Sequence, residues 1–137
     1  MIIAIDFDGT CVEHAFPKVG KDVPGAETVL KALVSEGHQL ILWTMRSDGR
    51  SEPQHTVLRD AIDWFHQKGI PLYAINANPD QIRWTSSPKA YADIYIDDAA
   101  LGCPVRLFPN QRAYVDWRMV AGLLVERGVL KKYPRFE

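Results

Sequence analysis

The sequence predicts an α/β protein: one domain over residues 1–137, built as a three-layer α/β/α sandwich around a mostly parallel sheet of about five strands. Three observations carry that expectation. Short β-branched apolar runs alternate with longer stretches of helical period, so neighbouring strands must be joined by crossovers. Each helical stretch stops at a glycine, and an acid or hydroxyl stands where several of the apolar runs end.

Ile2-Ile3-Ala4-Ile5 is a continuous apolar run closed by Asp6, the pattern of a central strand buried on both faces. From Cys11 to Val23 no period is sustained, and Pro17, Gly20 and Lys21 mark a loop. After Pro24-Gly25, the residues Val29, Leu30, Leu33 and Val34 follow helical spacing from Ala26 to a stop at Gly37. His38 to Trp43 reads as the second strand, with Thr44 at its C-terminal end and Met45-Arg46-Ser47-Asp48-Gly49 as the loop beyond. Val57, Leu58, Ala61, Ile62, Phe65 and His66 repeat as a second helix up to Gly69, with Pro53 suited to its beginning. Leu72 to Ile75 and Ile94 to Ile96 are the third and fourth strands, and Val105 to Phe108 is expected as the fifth. The last helix is expected from about Ala113 to Glu126, through Val115, Met119, Val120, Leu123 and Leu124, with Gly128 as its stop.

Composition excludes several classes of function. With 16 Lys plus Arg against 17 Asp plus Glu, the net charge of −1 supplies no global field toward nucleic acid or anionic lipid. Arg127, Lys131, Lys132 and Arg135 near the end of the chain read as a solvated surface. Cys11 and Cys103 form neither a CxxC pair nor a His/Cys array, which points away from zinc and from a disulfide framework and toward a reducing, cytoplasmic setting. The apolar start is too short for a signal or membrane segment, so no membrane association is expected.

In an open parallel sheet, ligands bind beyond the carboxyl ends of the strands, a rule that collects Asp6, Thr44 and the pair Asp97-Asp98 on one rim. In Asp6-Phe7-Asp8-Gly9-Thr10, a carboxylate exposed at a strand end is positioned to attack phosphorus and form an aspartyl phosphate. Asp8 then suits proton transfer, first to the leaving oxygen and later from the hydrolytic water, and Gly9 permits a sharp turn beside a phosphate.

This run resembles the first motif of the haloacid dehalogenase-like phosphohydrolases, an apolar strand followed by Asp-x-Asp-Gly-Thr. The resemblance implies a Rossmann-like fold, Asp6 as nucleophile, Asp8 as general acid and base, and a Mg2+ ion held partly by the Asp8 backbone carbonyl. Leu40-Ile41-Leu42-Trp43-Thr44 resembles the second motif, which implies that the Thr44 hydroxyl and nearby N–H groups hold phosphoryl oxygens, with Gly9 and Thr10 also facing substrate. Arg46 is either a bidentate phosphate contact or an exposed loop residue. Lys89, eight residues before Asp97, resembles the third motif's charge-balancing lysine. Ile94-Tyr95-Ile96-Asp97-Asp98 resembles the fourth, which implies Mg2+ ligation by Asp6, Asp8, Asp98 and Asp97, the last directly or through water.

The family places specificity in cap insertions, and the segments Cys11 to Val23 and Arg46 to Pro88 are too short or too occupied to hold one. The expected substrate is therefore a small phosphorylated molecule or an exposed macromolecular phosphate, or a second subunit covers the open site in a homo-oligomer. His14, Phe16, Asp48, Arg50, His55 and Trp84 are candidate substrate contacts, and Cys11 and Cys103 are placed near the rim. The expected activity is Mg-dependent phosphate-monoester hydrolysis. A non-enzymatic phospho-acceptor or phosphate-binding module, or a catalytically silent scaffold, are the alternatives.

Overall fold

The computed structural model describes residues 1–49 and 56–137. In chain order its elements are β1 (Ile2–Ile5), α1 (Ala26–Ser35), β2 (Gln39–Leu42), α2 (Val57–Gln67), β3 (Ala74–Ile75), β4 (Ile94–Ile96), β5 (Val105–Arg106), β6 (Tyr114–Val115) and α3 (Trp117–Glu126), with a 3-10 turn at Pro79–Arg83. Four strands form one sheet in the order β3-β2-β1-β4, and every neighbouring pair in it is parallel. Ile5 pairs with Leu42 on one side and Ile96 on the other, so the residues that follow, Asp6, Trp43 and Asp97, leave the sheet at one level.

The first two strands lie in the sheet's interior as their composition requires. Ile3, Ala4, Ile5, Leu40, Ile41 and Leu42 are at most 1% exposed, and successive strand residues face opposite ways, so both faces of the sheet are covered. Helix α2 buries Val57, Ala61, Trp64 and Phe65, one stripe at helical spacing, and sets Trp64 and Phe65 against Phe7 just beyond β1. Helices α1 and α3 contribute Val29, Leu30, Leu33, Val120, Ala121 and Leu124 to the same continuous core.

Three sequence expectations change. The sheet has four strands rather than five: Val105–Arg106 pairs antiparallel with Tyr114–Val115 in a separate hairpin. The last helix begins at Trp117, because the Asp116 side chain accepts from the Met119 N–H and caps the helix there, and Tyr114–Val115 before it is strand. The third strand shortens to Ala74–Ile75. Pro53, expected near the start of the second helix, lies outside the described residues.

The hairpin and α3 are docked onto the turn after β1. Val115 N–H donates to the Gly9 carbonyl at 3.0 Å, and the buried Trp117 indole donates to the Thr10 carbonyl at 2.7 Å. Trp117→Phe keeps most of the buried ring but leaves that carbonyl without its partner, and is expected to cost about 1–3 kcal/mol of stability. Urea unfolding monitored by far-UV circular dichroism measures it, and an unchanged midpoint would show that the bond has no stabilising role.

Candidate active site

Asp6, Asp97 and Asp98 converge at the carboxyl ends of β1 and β4, each offering an oxygen within 4.8 Å of the other two. Neighbouring strands that end in acids place those acids side by side, and the turn after β1 then fixes them. The Thr10 hydroxyl donates to the Asp6 carboxylate at 2.8 Å and accepts from the Asp98 N–H at 3.2 Å, joining the ends of the two strands. The Cys11 thiol donates to the Asp6 carbonyl from below. Thr10 is fully buried, so it positions Asp6 and does not face substrate.

Gly9 has a positive φ of 82°, and a Cβ there would overlap the His14 imidazole and the Asp98 carboxylate. Its role is to leave room for that pair, which meets at 2.7 Å between His14 Nε2 and Asp98 Oδ2. His14 is thus brought into the site expected of it, as the partner of an acid.

Burial is the largest influence on Asp6, and with the charges of Asp97 and Asp98 it outweighs the opposing Thr10 bond and pushes the carboxyl up to about 8. Asp97 is raised too, again chiefly by burial, against the Ala99 N–H that it accepts. Three carboxylates crowded in this way offer the oxygen ligands that a hard divalent cation takes.

Asp8 is held differently. Its two carboxylate oxygens accept from Arg46 Nε and Nη2, each at 2.8 Å. Arg46 Nη1 donates to the carbonyls of Pro17 and Val57, and Nη2 donates also to that of Lys18. A guanidinium has five N–H donors, and this one spends all five inside the protein. It lies between the rings of Phe7 and Phe16 and is 2% exposed. Of the two readings open for Arg46, phosphate contact or exposed loop residue, neither describes it: it is a buried clamp on Asp8.

Thr44 borders the same depression as Asp6 and Asp97, its N–H bonded to Asn76 Oδ1 and its hydroxyl accepting from the Arg46 N–H. Asn76 was not singled out by sequence, although it carries a positive φ of 52° and ties the loop after β2 to the end of β3. An Asn directly after a short apolar strand was the available signal, since Asn tolerates that backbone better than most residues.

Lys89 is not gathered into the site. Its ammonium sits over the Tyr95 ring, 5.5 Å from the centroid, and it does not border the acidic depression. Asp48 caps α2 by accepting from the Leu58 and Arg59 N–H groups, and Trp84 packs edge-on against Tyr91, so neither meets the acids. Phe16 borders the depression, whereas Arg50 and His55 lie outside the described residues. Cys11 is buried beneath the site and Cys103 is partly buried. A residue that sequence missed, Arg112, borders the depression, whose volume is about 380 Å³, with Asp6, Asp8, His14 and Asp98.

The fold and this acidic rim define an α/β protein with a candidate cation site at its strand ends. The chain is 36% identical to a structurally characterised conserved protein from Bacteroides thetaiotaomicron, over 93% of this chain and 91% of that one, with a TM-score of 0.72. The two belong to one family. No family model and no curated protein matches the chain. Among the described residues no helix is long and apolar enough to cross a membrane.

Two outcomes follow. Between about pH 4 and pH 8 the cation-free folded chain keeps a proton on Asp6 that the unfolded chain releases near 3.8, so this group withdraws stability as pH rises through that window. Asp6→Asn is therefore expected to raise the melting temperature in chelator more at about pH 8 than at about pH 5, and equal shifts at both would contradict the crowding. Arg46→Ala leaves Asp8 without its partner and is expected to cost about 3–5 kcal/mol in urea unfolding.

Proposed function

We propose that the protein is a divalent-cation-dependent phosphate-monoester hydrolase, a member of the haloacid dehalogenase-like phosphohydrolases, that works through an aspartyl phosphate on Asp6. The observation that carries this reading is the convergence of Asp6, Asp97 and Asp98 at adjacent strand ends, with Thr44 beside Asp6 across the same depression. Mg2+ bound by these carboxylates would offset charge between the nucleophile and an incoming phosphate. Helices on both faces of the sheet, in three layers, agree with the burial of both faces of β1 and β2.

Asp6 is fixed by Thr10 with one carboxylate oxygen, which leaves the other to attack phosphorus as the P–O bond to the leaving group breaks. Each Asp8 oxygen keeps lone-pair capacity beyond its Arg46 bond, so Asp8 can take a proton from the water that hydrolyses phospho-Asp6. Protonating the leaving oxygen requires Asp8 to carry the proton first and to exchange one Arg46 bond for it. An aryl phosphate, whose leaving group needs little protonation, bypasses that requirement.

The same clamp favours one second reading: with Asp8 held this firmly, phospho-Asp6 persists and the chain is a phospho-acceptor. A generic aryl phosphate in Mg2+ separates the two. Hydrolysis is expected, lost with chelator and with Asp6→Asn, and slowed about 10²–10⁴-fold by Asp8→Asn with phosphoenzyme accumulating. Full activity in Asp6→Asn would sink the nucleophile assignment. A stable phosphoprotein from acetyl phosphate in the parent, with no turnover, would establish the second reading instead.

A further inference from the structure

We propose that Arg112, on the loop between β5 and β6, is the cation that binds the substrate's phosphoryl oxygens, a role that rests on the phosphate-ester reading above. A phosphate dianion entering this depression meets Asp6, Asp8, Asp97 and Asp98, and a bound divalent cation offsets only part of that charge. A fixed positive side chain must face the phosphate from the protein. Lys89 is over Tyr95, away from the depression. Arg46 borders the depression, but all five of its N–H groups are bonded to Asp8 and to backbone carbonyls. His14 is paired with Asp98. Among the described residues bordering the depression, Arg112 is the one remaining cation, and no carboxylate among the described residues is paired with it.

The loop that carries Arg112 is not loosely attached. Gln111 Nε2 donates to Glu13 Oε1 at 3.0 Å, Val115 N–H donates to the Gly9 carbonyl, and Trp117 donates to the Thr10 carbonyl. Three bonds thus fasten the segment around Arg112 to the stretch from Gly9 to Glu13 that follows β1, which holds this residue at the rim without using its guanidinium. A guanidinium presents paired N–H groups that match two phosphoryl oxygens, a fit that a point-charge ammonium lacks. On this proposal the hairpin serves as the substrate-facing element.

The test measures binding of inorganic phosphate in MgCl2 by isothermal titration calorimetry, alongside aryl-phosphate turnover. Arg112 is exposed on a loop, so its replacement leaves the core intact. Arg112→Ala is expected to weaken phosphate about tenfold to a hundredfold and to raise KM in proportion, with Arg112→Lys between it and the parent. Arg106→Ala, on the same hairpin with its guanidinium over Phe108, is expected to match the parent. Parent-like phosphate binding by Arg112→Ala overturns the proposal, as does loss of binding in Lys89→Ala alone or failure of the parent to bind phosphate at millimolar concentration. Arg112-dependent phosphate binding in a parent that does not hydrolyse the ester upholds the anion site and sinks the hydrolase reading, which keeps the two failures apart.

Discussion

The structure is organised around the cost of placing four carboxylates, Asp6, Asp8, Asp97 and Asp98, at the ends of adjacent strands. Parallel pairing of β1 and β4 makes that crowding unavoidable, because Ile5 and Ile96 are in register and the acids follow them directly. Each acid receives a separate remedy. Asp8 takes a buried guanidinium, Asp98 an imidazole and Asp6 a hydroxyl, and the Asp97 carboxylate accepts from the Ala99 N–H. These remedies are unequal, and the inequality divides the site: Asp8 is compensated within the protein, whereas the Asp6–Asp97 side retains the unfavourable charge that a cation would relieve.

The remedies also explain why elements remote in sequence converge on the turn after β1. Gly9 and Thr10 offer their carbonyls to β6 and α3, the Thr10 hydroxyl reaches both Asp6 and the backbone after β4, and Gly9 gives space to His14. A short hydrogen-bonded turn with little conformational freedom therefore fixes the nucleophile candidate, one metal-ligand candidate and the hairpin at once. The rim of the depression is assembled largely from loops, and hydrogen bonds as well as the core packing of Val115 and Trp117 position the hairpin beside it.

What was legible in the sequence was local. Ile2–Ile5 and the run from His38 to Trp43 announce buried strands through their apolar residues, and α2 announces itself through the spacing of Val57, Leu58, Ala61, Ile62, Phe65 and His66. The acids at strand ends followed from the same reading. The fifth strand is present at Val105–Arg106 but outside the main sheet, because it pairs with Tyr114–Val115, which falls into the helical period of α3; the Asp116 cap was the signal that separates them. Arg46 was illegible for a different reason: its partners are Asp8, 38 positions away, and three carbonyls, which carry no side-chain signature. Lys89 shows the converse, since its spacing before Asp97 fits a motif while its ammonium rests on Tyr95.

The Arg46 clamp reaches past Asp8 to the backbone of the entrance loop, where it holds the carbonyls of Pro17 and Lys18, and to Val57 at the start of α2. Apart from the Phe16 ring, what it contacts there is main-chain oxygen. The path of that loop is consequently fixed while the identities of its outward residues, such as Lys18 and Val19, are left open. The fold thereby provides a rigid template on which the vestibule chemistry can be rewritten, by evolution or by a protein engineer, without disturbing the carboxylate beneath it.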